Sequence, residues 1–212
     1  MLETQAKGIR KTSKEKGPEA GTSKRRTDSR RRILAAARKL FVERGYHETR
    51  PQDISREAGV GHGTFYLHFT DKLDCFLAFA DEAANELEVI LQRHLDPDLT
   101  MEEAIRETLL AINEYSEANP GVLQASMTDL DVISASERRF EPPVIRWGEH
   151  WAEMIKGWQK TGEASADLDP EFAGRAALGI LRQVSAYGVE REETPDTMLE
   201  QLASLLVKLL RK

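Results

Sequence analysis

The stretch TRPQDISREAGVGHGTFYLHF, residues 49–69, decides how this chain folds. Ile54 and Ala58 stand four apart, on one face of a first short helix, and Gly59 can take the left-handed conformation that ends a helix and turns the chain sharply. Beyond the turn, Val60, Phe65 and Phe69 are the apolar positions able to pack back onto that first helix. His62, Thr64, Tyr66 and His68 are left facing outward on the second. That outward set is rich in hydrogen-bonding groups and holds no carboxylate, as a surface approaching phosphates requires. Thr49 with Gln52 three residues on predicts a capping box, and Pro51 fits a first helical turn, where its missing N–H costs nothing.

Working outward, the next helix upstream is marked by Thr27 or Asp28 as a cap and by Ile33, Leu34, Ala37, Leu40 and Phe41 at helical spacing, and it stops at Gly45. It supplies the third wall of a small core. Residues 27–73 therefore form a three-helix unit with a short turn between its last two helices, the helix-turn-helix arrangement. Residues 1–26 hold Lys7, Arg10, Lys11, Lys14, Lys16, Lys24, Arg25 and Arg26 among Gly, Ser, Thr and Pro, with few apolar groups, and read as a disordered basic arm. Composition fits two uses for it, contact with nucleic-acid phosphates or plain solubility.

The formal charge of −6 is unevenly spread. Residues 1–70 carry 16 Lys and Arg against 8 Asp and Glu, a net of +8, whereas residues 71–212 carry 14 against 28, a net of −14. A basic module that meets a polyanion is thus joined to an acidic body.

From residue 71 onward the pattern is helical without interruption by strands. Leu73, Phe76, Leu77, Ala80, Ala84, Leu87, Ile90 and Leu91 define a helix over 71–94 that Pro97 stops. Further helices are expected at 100–118, 120–128, 131–161 (broken or kinked at Pro142-Pro143), 170–188 and 195–211. The fold class is all-α, an N-terminal helix-turn-helix domain followed by a helical domain over 74–212. The 170–188 and 195–211 helices are broadly apolar, through residues such as Phe172, Ile180, Leu181, Tyr187, Leu202, Leu205, Leu206 and Leu209. They either pair with the same helices of a second copy, as a four-helix homodimer interface, or pack inside one chain.

Cys75 is the only cysteine, so a single chain has no disulfide framework or cysteine metal site, and its apolar neighbours suggest a core thiol. His94 and His150 lack ligand-spaced partners, so no metal and no cofactor is expected. With no signal-like start and no long apolar run, the chain reads as soluble and cytoplasmic, with no membrane partner. Phosphate-cradling glycine loops, a nucleophile elbow and a metal-binding His pair are all missing, and Glu102-Glu103 and Glu192-Glu193 read as surface charge, so the chain is not expected to be an enzyme.

Residues 28–73 resemble the DNA-binding domain of the tetracycline-repressor (TetR) family of bacterial transcriptional regulators. The resemblance rests on Ile33-Leu34-Ala35-Ala36-Ala37, Leu40-Phe41, Gly45-Tyr46, Thr49, Asp53-Ile54, Ala58-Gly59-Val60, Gly63-Thr64-Phe65-Tyr66, His68-Phe69 and Asp71-Lys72-Leu73. Two departures stand out: Pro51 replaces a usual apolar residue, and Gly61-His62 replaces a small polar residue followed by a basic one. The resemblance implies a homodimer whose second helices enter successive major grooves of a pseudo-palindromic double-stranded operator, released by a small-molecule effector bound in the C-terminal domain. Carried over by position, it also implies that Thr49, Arg50, Thr64, Tyr66, His68 and Lys72 touch phosphates or bases, with Gly61, His62 and Gly63 at the tip nearest the base edges.

Trp147, Trp151, Met154 and Trp158 share one helical stripe, and Tyr115, Met127 and Phe140 lie on segments expected to pack against it. Such a stripe serves as core or, as a set, as a pocket for an apolar or aromatic effector. Arg146, Arg182 and His150 are candidate polar anchors there, unless ion pairs claim them. The competing reading is an all-α interaction module with general nucleic-acid affinity, distinguished by binding that ignores sequence.

Overall fold

The computed structural model describes residues 18–94, 96, 98–128, 143–191 and 194–211 of the 212. All regular structure among the described residues is helical: α1 (Pro18–Glu48), α2 (Pro51–Glu57), α3 (His62–Tyr66), α4 (Lys72–His94), α5 (Met101–Ala118), α6 (Val122–Thr128), α7 (Pro143–Thr161), α8 (Pro170–Arg191) and α9 (Pro195–Leu210). Five of these helices open on proline, whose fixed φ and absent N–H suit the first turn. Of the helix expected over 131–161, α7 covers Pro143–Thr161, and residues 131–142 lie outside the described residues. No helix among the described residues is long and apolar enough to cross a membrane.

The start of α1 differs from expectation. It begins at Pro18 instead of at a Thr27 or Asp28 cap, so residues 18–26 are helical and not part of a disordered arm; residues 1–17 lie outside the described residues. The physical reason is local. Thr27 donates its hydroxyl back to the carbonyl of Ser23 at 3.1 Å and Asp28 pairs with Arg31 at 2.8 Å, so both residues sit within a helix and neither begins one. Straight-chain Lys24, Arg25 and Arg26 lose little rotamer freedom in that conformation. At the other end Gly45, with φ 77° and ψ 171°, breaks the helical path where expected.

The cap of α2 is also displaced by one residue. Pro51 forces extended backbone on the residue before it, and Arg50 (φ −112°, ψ 151°) is the cap, its N–H donating to Asp53 Oδ2 at 3.3 Å. Thr49 and Gln52 do not form the expected box. Thr49 is fully buried, and its hydroxyl donates to the carbonyl of Gly45 at 2.8 Å and lies 3.3 Å from that of Leu40, satisfying the broken end of α1.

Two apolar cores carry the chain. The first joins Ile33, Ala37 and Phe41 of α1 and Ile54 of α2 to Phe65, Phe69, Phe76 and Phe79, and continues into Tyr115 of α5 and Val122 of α6. It therefore spans the N-terminal helices and the body without a seam at residue 73. Cys75 is buried in it, and burial pushes the thiol up to about 12, as a packing role requires. The second core joins α5, α7, α8 and α9 through residues such as Ile105, Trp151, Ile155, Leu181 and Leu206. There α7 and α8 touch backbone to backbone: a β-carbon on Gly174 would stand 2.6 Å from the carbonyl oxygen of Gly148.

Candidate nucleic-acid interface

The turn between α2 and α3 is built as its glycine predicts. Gly59 has φ +62°, its N–H donates to the carbonyl of Arg56 at 3.1 Å, and Val60 N–H donates to that of Ser55 at 3.0 Å. Sequence reasoning did not find the side chain that closes it. Arg32 of α1 donates from Nη2 to the carbonyls of Ala58 (2.5 Å) and Gly59 (3.0 Å), placing a cation on the carbonyl end of α2. Its spacing in the sequence carries no signal, because the contact spans more than twenty residues.

Phe65 and Phe69 are buried, as expected, and hold α3 on the first core. His62 and Tyr66 face outward with ring centroids 5.1 Å apart, edge to face, and Tyr66 is 49% exposed. Thr64 is half-buried beside them, and Gly61 and Gly63 are exposed, with nothing within 4 Å of where a side chain on Gly63 would begin. Leu67, 70% exposed just past α3, extends this face and was missed; an outward leucine can meet a thymine methyl group. Arg50 is exposed at the cap of α2.

Three of the expected contact residues are placed differently. Thr49 turns inward, as described above. His68 is half-buried, its Nε2 lying 2.7 Å from Ser29 Oγ, which ties the end of α3 to α1. Burial, then the charges of Arg26 and Arg30, hold its pKa below the ordinary imidazole value. Lys72 donates from Nζ to the carbonyl of Tyr46 at 2.8 Å and stands 4.1 Å from the Tyr46 ring centroid, securing the start of α4 against the end of α1. Arg30 lies over the Phe69 ring at 5.2 Å, and Lys24, Arg25, Arg26 and Arg31 are exposed along the same helix. Arg30 and Ser29 thus bring the basic helix α1 against the segment that follows α3.

In the body, the aromatic stripe of α7 divides between the two cores. Trp147 packs against the first, and Trp151, Met154 and Trp158 against the second. Tyr115 does not join Trp151 and Met154: it sits in the first core, and its hydroxyl donates to Glu86 Oε2 at 2.7 Å. Met127 is half-buried in α6, and Phe140 lies outside the described residues. His150 Nε2 is buried with no hydrogen-bond partner, whereas Arg146 is paired with Asp81 at 2.5 Å. His94 has acid neighbours that its sequence position did not reveal, Glu107 Oε2 2.9 Å from Nδ1 and Glu114 Oε2 2.9 Å from Nε2. One carboxylate on each nitrogen brackets the ring instead of converging on one point. Among the described residues, no group of three or more His, Cys, Asp or Glu could hold a metal ion.

Comparison with known proteins agrees with this geometry. Residues 33–79 match the family model described as bacterial regulatory proteins, tetR family. The HTH-type transcriptional repressor BepR of Brucella suis is 35% identical over 164 residues, covering 73% of this chain and 75% of that protein. The HTH-type transcriptional repressor KstR2 of Rhodococcus jostii is 27% identical over 199 residues, 89% of this chain and 92% of that protein. Among solved structures, a tetR family transcription regulator from Shewanella sp. PV-4 superposes with a TM-score of 0.73 at 22% identity, covering 86% of this chain and 97% of that one.

Proposed function

This chain belongs to the tetR family of bacterial regulatory proteins and is a DNA-binding transcription regulator, and we propose that it acts as a repressor gripping a pseudo-palindromic operator as a homodimer until a small effector releases it. The observation that carries this reading is the exposed, carboxylate-free face of His62, Tyr66 and Leu67 on a helix anchored by Phe65 and Phe69. A short rigid helix with its apolar side fixed on a core suits insertion into a major groove. Arg50, Gly61, Gly63 and Thr64 border that face and complete the proposed DNA contacts, and the basic flank of α1 supplies phosphate neutralisation.

The dimer reading draws support from α8 and α9. Phe172 is 75% exposed, Leu209 50% and Leu205 42%, an apolar face that a second copy of the same two helices would cover. The effector is proposed to be apolar or aromatic, held beside Trp147, Trp151 and Met154, with the unpartnered Nε2 of His150 available to a polar group on it. With DNA as partner, the protein is proposed to work in the bacterial cytoplasm.

Selection of bound fragments from the organism's own genomic DNA, followed by footprinting, tests the reading. A protected inverted repeat with half-sites one helical turn or a multiple apart is expected. Binding that ignores sequence, or material that sediments as a single subunit on DNA, would overturn it in favour of a general nucleic-acid-binding module.

A further inference from the structure

We infer that Arg38 is a positioning residue: with Glu86, Tyr115 and Asn119 it forms a latch through which the α5–α6 turn fixes the orientation of α1, and with α1 the DNA-facing helix α3. The inference rests on the DNA-binding reading above.

The latch joins three helices. Arg38 of α1 donates from Nη1 to both carboxylate oxygens of Glu86 on α4, each at 2.9 Å, and from Nη2 to Asn119 Oδ1 at 2.6 Å. Tyr115 of α5 donates its hydroxyl to the same carboxylate at 2.7 Å. Asn119, the residue that ends α5, is itself held, its Nδ2 donating to the carbonyl of Tyr115 at 3.2 Å and its N–H to the same carbonyl at 2.9 Å. One turn further along α1 the same loop presses on Val42, for a β-carbon on Gly121 would stand 2.9 Å from Val42 Cγ1.

Two features make this an orienting device and not only a source of stability. Hydrogen bonds are directional, so a guanidinium shared between a carboxylate and an amide is satisfied in a narrow range of helix positions, whereas apolar contact tolerates sliding. Tyr115 is 1% exposed, so displacement that withdrew Glu86 would take the acceptor from a buried hydroxyl. Burial, then its bond to Glu86, raises the Tyr115 pKa, which keeps the hydroxyl a donor.

From the latch, α1 leads directly to α3. Arg38 stands nine residues from Ser29, about 14 Å along a helix, and Ser29 meets His68 at 2.7 Å. Between them Arg32 holds the α2–α3 turn, and Arg30 covers Phe69. A tilt of the α5–α6 turn is therefore transmitted to one rod that holds the segments on both sides of α3.

The test changes the latch from the body side and reads the DNA-facing side. In the full-length protein, Tyr115→Phe and Asn119→Ala are expected to speed amide hydrogen exchange across residues 51–69 at least fivefold. Roughly tenfold weaker binding to the selected operator at fixed salt is expected with it, while helical content stays as in the unaltered protein. A merely structural role would alter exchange in α4, α5 and α6 alone. Exchange over residues 51–69 and operator affinity both unchanged in both variants would overturn the latch. Asn119→Ala keeps the test decisive if Tyr115→Phe melts the core. Failure of the unaltered protein to select any operator would overturn the DNA reading on its own, and the exchange comparison, which needs no DNA, still judges the latch.

Discussion

Arg32 and Gly59 hold each other in place across the helix-turn-helix: Arg32 Nη2 donates to the carbonyl of Gly59 at 3.0 Å, and a β-carbon on Gly59 would stand 2.8 Å from that same nitrogen. A side chain at position 59 would therefore carry two costs. It would sit at φ +62°, which disfavours alanine by ~1–2 kcal/mol, and it would push the guanidinium off the carbonyl end of α2. Gly59→Ala should lower the unfolding free energy by about 2 kcal/mol in urea titration, and Gly59→Asn by less, because asparagine tolerates the left-handed region. Equal stability for all three proteins would show that the turn does not depend on this pairing.

Tyr66 is 49% exposed and its ring meets His62 edge to face, so Tyr66→Phe removes a hydroxyl proposed to reach a phosphate and leaves that ring contact in place. A bond to a phosphate oxygen contributes about 1.5 kcal/mol, and its loss should weaken operator binding roughly tenfold for each half-site. Anisotropy titration at fixed salt checks this, and an unaltered Kd would remove Tyr66 from the contact set.

Lys24, Arg25 and Arg26 form an exposed basic end to α1 that is helical and so presents its charges at fixed spacing. Replacing all three with glutamine should reduce the slope of log K against log salt by about 0.9 for every phosphate that the protein no longer neutralises, while the ratio of operator to scrambled-site affinity stays constant. Loss of that ratio would mean that base reading had been wrongly placed on α3.

These predictions draw on features that differ in how far the sequence discloses them. Helix limits were largely legible because their signals are local: Pro143, Pro170 and Pro195 each open a helix, and Gly45 and Gly59 each interrupt one. The outward face of α3 was legible for the same reason, since Phe65 and Phe69 fix which side is buried. What stayed hidden depends on distant partners. Nothing in the spacing of Arg32, Arg38 or Lys72 tells that each reaches across to a backbone carbonyl or side chain on another element. Tyr115 shows the consequence: its segment was expected to pack against the stripe of Trp147, Trp151 and Trp158, but its partner, Glu86, assigns it to the junction with α1 and away from Trp151. Thr49 was misread through a neighbour, because Pro51 moves the cap of α2 to Arg50 and frees the threonine hydroxyl to close α1.

The bridge between α4 and α5 should make stability depend on pH in a defined direction. Each ring nitrogen of His94 faces a carboxylate, an arrangement satisfied fully only when both nitrogens carry protons. Hydrogen bonding to Glu114, then to Glu107, raises the His94 pKa, and bonding to His94 is the main cause of a lowered pKa at Glu114. A histidine raised by folding contributes its stability fully below its ordinary value of 6.5 and loses it as pH climbs through the raised value. Glu114, lowered by folding, contributes above its ordinary 4.5 and loses that contribution as pH falls through the lowered value. The two together place the bridge at full strength from about 4.5 to 6.5, with decline on the alkaline side first to be met under physiological conditions. The difference in Tm between the unaltered protein and His94→Gln should thus be widest near pH 6 and close as pH rises to about 9. The Arg93–Glu114 pair at 3.0 Å is present in both proteins. Melts followed by circular dichroism check this, and a Tm difference as large at the alkaline end as near pH 6 would show that the protonated ring is not what joins the two helices.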